Sequence, residues 1–103
     1  MYIYNVTIKV ADQIEQEWLS WMKEIHLNEV LATGLFHDYA LFALLEPVDE
    51  EGKTYIAQYY TQDHDTYINY INEFAPSLRE KGFERFGNQF IAFRSVMQKV
   101  FAS

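Results

Sequence analysis

The chain of 103 residues contains no cysteine, and it has only four glycines and two prolines. Without cysteine it can form no disulfide, no thiolate metal site and no cysteine nucleophile. The glycines are isolated from one another, so no glycine-rich loop is present that could cradle a phosphate. The longest apolar stretches have the length of a strand, and we therefore expect no segment that crosses a membrane.

Basic residues are also scarce, with eight Lys and Arg against 15 Asp and Glu, which gives a net charge of −7. They are scattered singly, so the sequence offers no positive stripe that could follow a phosphate backbone, and we expect no nucleic-acid partner. The N-terminus begins directly with strand-like sequence and lacks the basic region and cleavage site of a signal peptide. A cytoplasmic protein is therefore expected.

Hydrophobic residues are abundant: they make up half of the chain, and aromatic residues make up 17% of it. This composition argues against disorder. The length suits one domain with one core, and we expect that domain to span residues 1–103.

The first half of the chain predicts a strand followed by a helix. Tyr2 to Val10 alternates between apolar and mixed positions, as a strand does. Asp12 and Glu15 have the spacing of a capping box, which predicts that a helix begins there. Gly34 suits the left-handed position that ends a helix. Between them, large apolar residues recur at helical intervals, namely Ile14, Trp18, Trp21, Met22, Ile25 and Val30.

The second half predicts a hairpin, a helix and a final strand. The segments are a strand from Leu35 to about Glu46, a charged turn over 47–52, a return strand from Thr54 to Thr61, a helix capped by Asp63 or Asp65 and ended by Gly87-Asn88, and a strand from Gln89 to about Val100. Ala75-Pro76 should bend or restart that helix, since proline is tolerated mainly in a first turn. The order is βαββαβ, which predicts an α+β ferredoxin-like fold with two helices on one face of a four-stranded antiparallel sheet.

The strand from Leu35 to about Glu46 is apolar on both faces, with Leu35, Tyr39 and Leu41 on one face and Phe36 and Phe42 on the other. Two helices cover only one face of such a sheet, so the other face should expose a large apolar patch, which is unusual on a soluble monomer. A two-fold homodimer with facing sheets is the economical solution. The alternative is a monomer whose aromatic side chains lie flat on the sheet.

Five stretches resemble a small bacterial family that is known only as a domain of unknown function. They are Tyr4-Asn5-Val6-Thr7, Trp18-Leu19-Ser20-Trp21-Met22, Glu29-Val30-Leu31-Ala32-Thr33-Gly34, Phe74-Ala75-Pro76 and Phe93-Arg94. More broadly, the chain resembles the dimeric α+β barrel superfamily, which includes EthD-like proteins, antibiotic-biosynthesis monooxygenases and muconolactone isomerase. The broader resemblance implies a homodimer that pairs through the sheet, but the closer one implies no activity.

His26 is the best candidate for a catalytic residue, although the sequence does not decide whether the protein is an enzyme. The resemblance to EthD-like proteins implies that this histidine borders a pocket. A position near the end of the first helix would favour its protonated form. The commoner fate of such a residue is a surface or capping histidine.

Trp18 and Trp21 are neighbours on one helix surface, where they could form the wall of a ligand site or serve as core anchors. Arg94 interrupts an apolar strand, so it should pair with an acid such as Asp38 or bind an anionic ligand. Tyr59 could donate its phenolic proton to a ligand, or its ring could simply be buried.

Asn5 resembles an asparagine that lies beside the substrate in cofactor-free monooxygenases and haem-degrading relatives. The haem-degrading pattern also requires an axial histidine within the second helix, and this helix has only His64 at its start. We therefore expect no haem and no other cofactor. The three histidines show no tight spacing to carboxylates, so no metal site is expected either.

Two classes of function remain open. The first is a protein that binds a small apolar or aromatic molecule between sheet and helices, or a cofactor-free monooxygenase or isomerase of EthD-like type. The second is a non-catalytic module for dimerisation or assembly, in which every aromatic residue serves packing. A cavity of roughly 300 Å³ or more with convergent polar groups would favour the first class, and a filled core the second.

Overall fold

A computed structural model describes residues 1–102 of the chain. Its elements are β1 (Tyr2–Val10), a 3₁₀ turn (Asp12–Ile14), α1 (Glu15–Trp21), a π-helical segment (Met22–His26), α2 (Leu27–Ala32), β2 (Asp38–Ala43), β3 (Lys53–Thr61), α3 (His64–Glu73), α4 (Ala75–Phe86) and β4 (Phe90–Gln98). Within the described residues, no helix is long and apolar enough to cross a membrane.

The four strands form one antiparallel sheet in the order β2-β3-β1-β4. Strand β1 is central and is paired along its whole length with both β3 and β4. Its side chains Tyr4, Val6, Ile8 and Val10 are buried beneath the helices. The predicted α+β ferredoxin-like fold is therefore confirmed.

The start of the first helix differs from the prediction. Asp12 does not cap it: the N-cap position before the 3₁₀ turn is Ala11, and no side-chain hydrogen bond is made there. The 3₁₀ turn over Asp12–Ile14 comes before Glu15, so the capping-box spacing does not correspond to a capping box. At the second helix the prediction holds, because the Asp63 side chain accepts a hydrogen bond from the Asp65 backbone N–H at 2.9 Å.

The π-helical segment changes which residues of the first helix face the sheet. Leu27 donates its backbone N–H to the carbonyl of Met22, five residues earlier, so the turn contains one residue more than an α-helical turn. A regular helix turns by about 100° per residue, which would place Ile25 on the buried stripe. Because of the additional residue, Ile25 is turned outward and is 39% exposed, and Leu27 takes the buried position with 2% exposure.

Strand β2 is shorter than the stretch from Leu35 to about Glu46 that the sequence predicted. Backbone hydrogen bonds to β3 run from the His37 N–H to the Leu44 N–H. Phe36 precedes the strand and packs into the core, where its ring lies 4.9 Å from that of Tyr70 between centroids. Strand β4 likewise ends at Gln98, before the predicted Val100. The helix restart at Ala75-Pro76 is confirmed, with Pro76 in the first turn of α4.

The register divides the large apolar residues between the two sheet faces. The face away from the helices, here called the open face, carries Phe42 of β2, Ile56 of β3 and Phe93 of β4. Phe42 is 48% exposed and Phe93 is 62% exposed. At the centre of this face Gln58 donates a side-chain hydrogen bond to Asn5 at 3.1 Å. The open face therefore combines an apolar surface with a polar centre.

Candidate functional site

A cavity of about 60 Å³ lies between the sheet and the helices. Strands β1, β3 and β4 form its floor, and the first helix, α3 and α4 form its walls and roof. A water molecule occupies roughly 30 Å³ of liquid, so the space corresponds to a few non-hydrogen atoms. The core is therefore neither completely filled nor opened by a pocket of the roughly 300 Å³ that drug-sized ligands need.

Both tryptophans of the chain line the cavity. Trp18 is 1% exposed and lies against Tyr55, with ring centroids 5.2 Å apart. Trp21 packs edge-on against Phe86 at 5.5 Å between centroids. Gly82 of α4 lets the Trp21 ring approach the helix, because a Cβ at position 82 would lie 3.1 Å from its nearest ring atom. The two indoles are thus core anchors and cavity walls at once.

His26 lines the cavity at the end of the π-helical segment. Its ring stacks on Trp21, and its Nδ1 atom is buried without a hydrogen-bond partner among the described residues. Burial lowers the pKa of His26 to about 4, with Arg94 and Lys81 contributing and Glu29 opposing. The expectation of a protonated, dipole-stabilised histidine is therefore wrong, since the helix continues to Ala32 and desolvation dominates.

Two tyrosines place their rings at the cavity wall, Tyr59 of β3 and Tyr70 of α3. Tyr59 is 2% exposed and Tyr70 4% exposed, and burial raises the pKa of each phenol well above its ordinary value. Both phenols are therefore proton donors and not phenolates at neutral pH. The hydroxyl oxygen of a third tyrosine, Tyr4, accepts a hydrogen bond from Arg79 Nη2 at 3.1 Å.

Arg94 lies on the helix-side face of the sheet, opposite Val6, and lines the cavity. Asp38 belongs to the open face of β2, at the far edge of the sheet. The expected pairing of Arg94 with Asp38 is therefore wrong, because the two side chains belong to opposite faces and opposite edge strands. The ion pairs among the described residues use other cations, namely Lys9, Lys81 and Arg85.

Asn5 is the one candidate that the structure separates from the others. It alternates with Tyr4 and Val6, so its side chain belongs to the open face, where it is hydrogen-bonded to Gln58. It does not line the cavity. The fold brings together the remaining candidates, which are Trp18, Trp21, His26, Tyr59 and Arg94.

The sequence did not single out three polar residues of the cavity, Tyr4, Tyr70 and Arg79. Tyr4 alternates with the apolar residues of β1, which favours a packing role for its ring, and the sequence does not mark Tyr70 or Arg79 as facing a cavity. For the two tyrosines the available signal is the hydroxyl on an otherwise apolar ring, since a buried hydroxyl normally needs a partner. Arg79 carries no comparable signal.

The cavity can offer a small molecule both donors and an acceptor. Tyr59 and Tyr70 supply hydroxyl groups, Arg94 supplies a guanidinium, and neutral His26 supplies an imidazole nitrogen that can accept a proton or a hydrogen bond. A general base works best when its pKa lies near the operating pH, and a pKa of about 4 is far below neutrality. The arrangement therefore suits binding better than proton abstraction. Within residues 1–102, no group of three or more His, Asp or Glu could hold a metal ion.

Residues 1–100 match a family described as "Domain of unknown function (DUF4286)". A search of curated proteins found no match.

Solved structures with a similar fold share little sequence with the chain. An ethyl tert-butyl ether D (EthD) family protein from Bacillus halodurans C-125 is 11% identical with a TM-score of 0.72, over 97% of this chain and 100% of that one. A dimeric ferredoxin-like protein from an uncultured marine organism is also 11% identical with a TM-score of 0.72, over 99% of this chain and 97% of that one. A dimeric ferredoxin-like protein of unknown function from Thermobifida fusca YX is 13% identical with a TM-score of 0.51, over 94% and 92%. At such identities the likeness establishes the fold alone.

Proposed function

Because the chain belongs to the DUF4286 family, whose description names no function, we propose a function from the cavity: the protein is a homodimer that binds a small molecule between the sheet and the helices. The observation that carries this proposal is the convergence of polar groups on an otherwise apolar space. The Nδ1 atom of His26 is buried without a partner, and Tyr59, Tyr70 and Arg94 line the same cavity. A specific buried polar atom without a partner calls for an explanation, and a ligand that hydrogen-bonds to it supplies one.

The volume restricts the ligand. An apolar cavity of about 150 Å³ is large enough to hold benzene, and the cavity here, at about 60 Å³, is less than half that size. The part of the ligand that enters the cavity is therefore a short chain or a small polar molecule and not an aromatic ring. Of the two ligand classes that the sequence suggested, small apolar and aromatic molecules, the cavity volume therefore disfavours the aromatic one.

A cavity-filling substitution tests the proposal. Ala57 is 0% exposed on β3 and lines the cavity, so the two additional carbons of Ala57→Val would occupy part of it. Ala43→Val is the matched control, because Ala43 lies on the same sheet face but is exposed at the end of β2. Binding of small-molecule fragments would be followed by tryptophan fluorescence, since both indoles line the cavity.

We expect fragments to change the emission of the wild-type protein and of Ala43→Val with similar affinity. Their affinity for Ala57→Val should be at least about tenfold lower, which corresponds to a loss of roughly 1.4 kcal/mol of binding free energy. Equal binding by both variants would place the ligand elsewhere. A wild-type protein that binds no fragment, and that carries none in native mass spectrometry after gentle purification, would leave the cavity as a packing defect and overturn the proposal.

The homodimer is proposed from the open face. Four large apolar side chains on the two edge strands are between 41% and 62% exposed there, namely Phe42 of β2 and Ile91, Phe93 and Met97 of β4. Large apolar patches of this kind mark interaction sites. Two structures of similar fold are described as dimeric ferredoxin-like proteins. A second copy of the chain presents the same polar centre, so the amides of Asn5 and Gln58 could meet their counterparts across a two-fold axis. Light scattering at micromolar concentration should give twice the 12.2 kDa mass of the chain, and a monomeric mass would contradict the dimer.

A further inference from the structure

Beside the cavity, a groove of about 450 Å³ runs along the outer side of β4 and α4. The cavity and the groove share four lining residues, which are Arg79, Phe90, Ala92 and Arg94. These residues therefore form the boundary between the two spaces, and both arginines stand at that boundary. A ligand that passes from solvent to the cavity through the groove would meet the two guanidinium groups.

The charge at this boundary is opposite to that of the protein as a whole. The chain has a net charge of −7, yet Arg79 and Arg94 belong to none of the ion pairs of the described residues. Arg79 donates a hydrogen bond to the hydroxyl of Tyr4 and not to a carboxylate. The groove is also lined by one acidic residue, Glu80. With the two arginines, the charged side chains that line it carry a net charge of +1.

The electrostatic influence of Arg94 extends into the cavity. Its charge acts to lower the pKa of His26, Tyr59 and Tyr70, and that of Arg79 acts in the same direction on Tyr70. An anion between the arginines would therefore lie within reach of the polar groups of the cavity. The guanidinium group presents a planar fork of N–H donors that matches a carboxylate in two parallel hydrogen bonds.

On the basis of the proposed function, we infer that the ligand is a small monocarboxylate, whose carboxylate lies between Arg79 and Arg94 and whose short body enters the cavity towards His26. One negative charge matches the single excess positive charge at the boundary. A phosphate dianion would leave a charge uncompensated beside an apolar cavity, which is costly. The phenols of Tyr59 and Tyr70 would donate to an oxygen on the ligand body.

Matched pairs of acids and neutral amides test this inference on the full chain. The probes are acetate, propionate, butyrate and hexanoate, each compared with its own primary amide by titration calorimetry and by tryptophan fluorescence. We expect one of the short carboxylates to bind at least about tenfold tighter than its amide, and affinity to fall as salt rises, because a charge-assisted pair contributes that much when partly desolvated. Inorganic phosphate should bind more weakly than that carboxylate.

Arg94→Gln is the decisive variant, because Arg94 is exposed and its loss should not unfold the protein. It should weaken carboxylate binding about tenfold or more and leave amide binding unchanged. Arg85→Gln is the control, since Arg85 pairs with Glu17 and does not line the cavity; this variant should bind as the wild type does. Arg79→Gln, checked for fold by circular dichroism, should act as Arg94→Gln does.

The outcomes separate this inference from the function on which it rests. Equal affinity for acids and amides that is abolished by Ala57→Val would overturn the carboxylate and keep the cavity as the binding site. Carboxylate binding that Arg94→Gln and Arg79→Gln leave intact would also overturn it. Absence of binding by every probe and every fragment would contradict both proposals.

Discussion

The imidazole of His26 stacks on the indole of Trp21, with ring centroids 4.6 Å apart and planes inclined by 22°. The two residues are five positions apart, a spacing that does not place side chains together on a regular α-helix. The π-helical segment between them makes the contact possible. The geometry of one helical turn thus decides that a histidine, and not Ile25, faces the cavity.

Replacing His26 by phenylalanine should raise stability at neutral pH. The substitution retains a ring against Trp21 and removes the buried Nδ1 atom that has no partner. An unsatisfied buried polar atom costs roughly 1–3 kcal/mol, so the free energy of unfolding should rise by about 1 kcal/mol. Urea unfolding at pH 7 measures it. A clear loss of stability would mean that the Nδ1 atom has a partner, such as bound water.

The same variant should flatten the dependence of stability on pH. The pKa of His26 is about 4 in the folded state and 6.5 in a model peptide, so the unfolded state binds the additional proton between these values. The stability that neutral His26 contributes is therefore complete above pH 6.5 and is lost as the pH falls towards 4. Between pH 7 and pH 5 the wild type should lose about 2 kcal/mol more than His26→Phe. Parallel pH curves for the two proteins would contradict the lowered pKa.

Tyr59→Phe should separate stability from binding. Tyr59 is buried and lines the cavity. Removal of its hydroxyl should change the free energy of unfolding by less than about 1 kcal/mol, but it should weaken ligand binding. Tyr60→Phe is the control on the same strand, because the Tyr60 hydroxyl donates to Gln58 on the open face at 2.9 Å. Fluorescence titration should find wild-type affinity for Tyr60→Phe. Equal affinities for Tyr59→Phe and wild type would exclude a role for the phenol.

Phe93→Glu should dissociate the proposed dimer. Phe93 is 62% exposed on the open face, and a carboxylate there would be buried against the facing sheet without a cation. Phe83→Glu is a closely matched control, since Phe83 is 60% exposed but lies on α4, on the other side of the sheet. Light scattering should give a monomeric mass for Phe93→Glu and a dimeric mass for Phe83→Glu. A dimer in both variants would mean that the interface is not the open face.

Gly52→Ala should destabilise the protein through a direct clash. A Cβ at position 52 would lie 2.5 Å from the backbone oxygen of Val10, so the β2–β3 hairpin would have to move away from β1. Overpacking of this kind costs roughly 1–3 kcal/mol, which urea unfolding can measure. Lys53→Ala, at an exposed neighbouring position, should stay within about 0.5 kcal/mol of the wild type. No destabilisation in Gly52→Ala would mean that the hairpin is free to shift.

Local sequence signals predicted those parts of the fold that local chemistry decides. Alternation of apolar residues located β1, and Gly34 adopts the left-handed conformation expected of a residue that ends a helix, with φ of 78°. Asp63 caps α3, and Pro76 lies in the first turn of α4, where proline is tolerated. Each of these features depends on a few neighbouring residues, which is why the order βαββαβ followed from the sequence.

Features that depend on contacts distant in sequence could not be predicted. The π-helical segment leaves no mark in residue type, because its register is decided by which side chains fit against the sheet. The cavity is similarly hidden, since Trp18 and Tyr59 are apolar rings whether they fill a core or surround a space. For Asn5 the local signal was right and the resemblance was misleading. Alternation with Tyr4 places Asn5 on the face away from the helices, whereas the likeness to monooxygenases suggested a position beside a ligand.

The additional residue of the π-helical segment has a consequence for deletions. Removing one residue from a helix normally rotates everything beyond it by about 100° and turns the buried face outward. Here the helix already holds one residue too many, so deletion of exposed Lys23 would restore the regular period. Leu27 and Val30 would then continue the stripe of Trp18 and Met22 without a shift. We therefore expect this helix to tolerate the loss of one residue and still present the same side chains to the sheet.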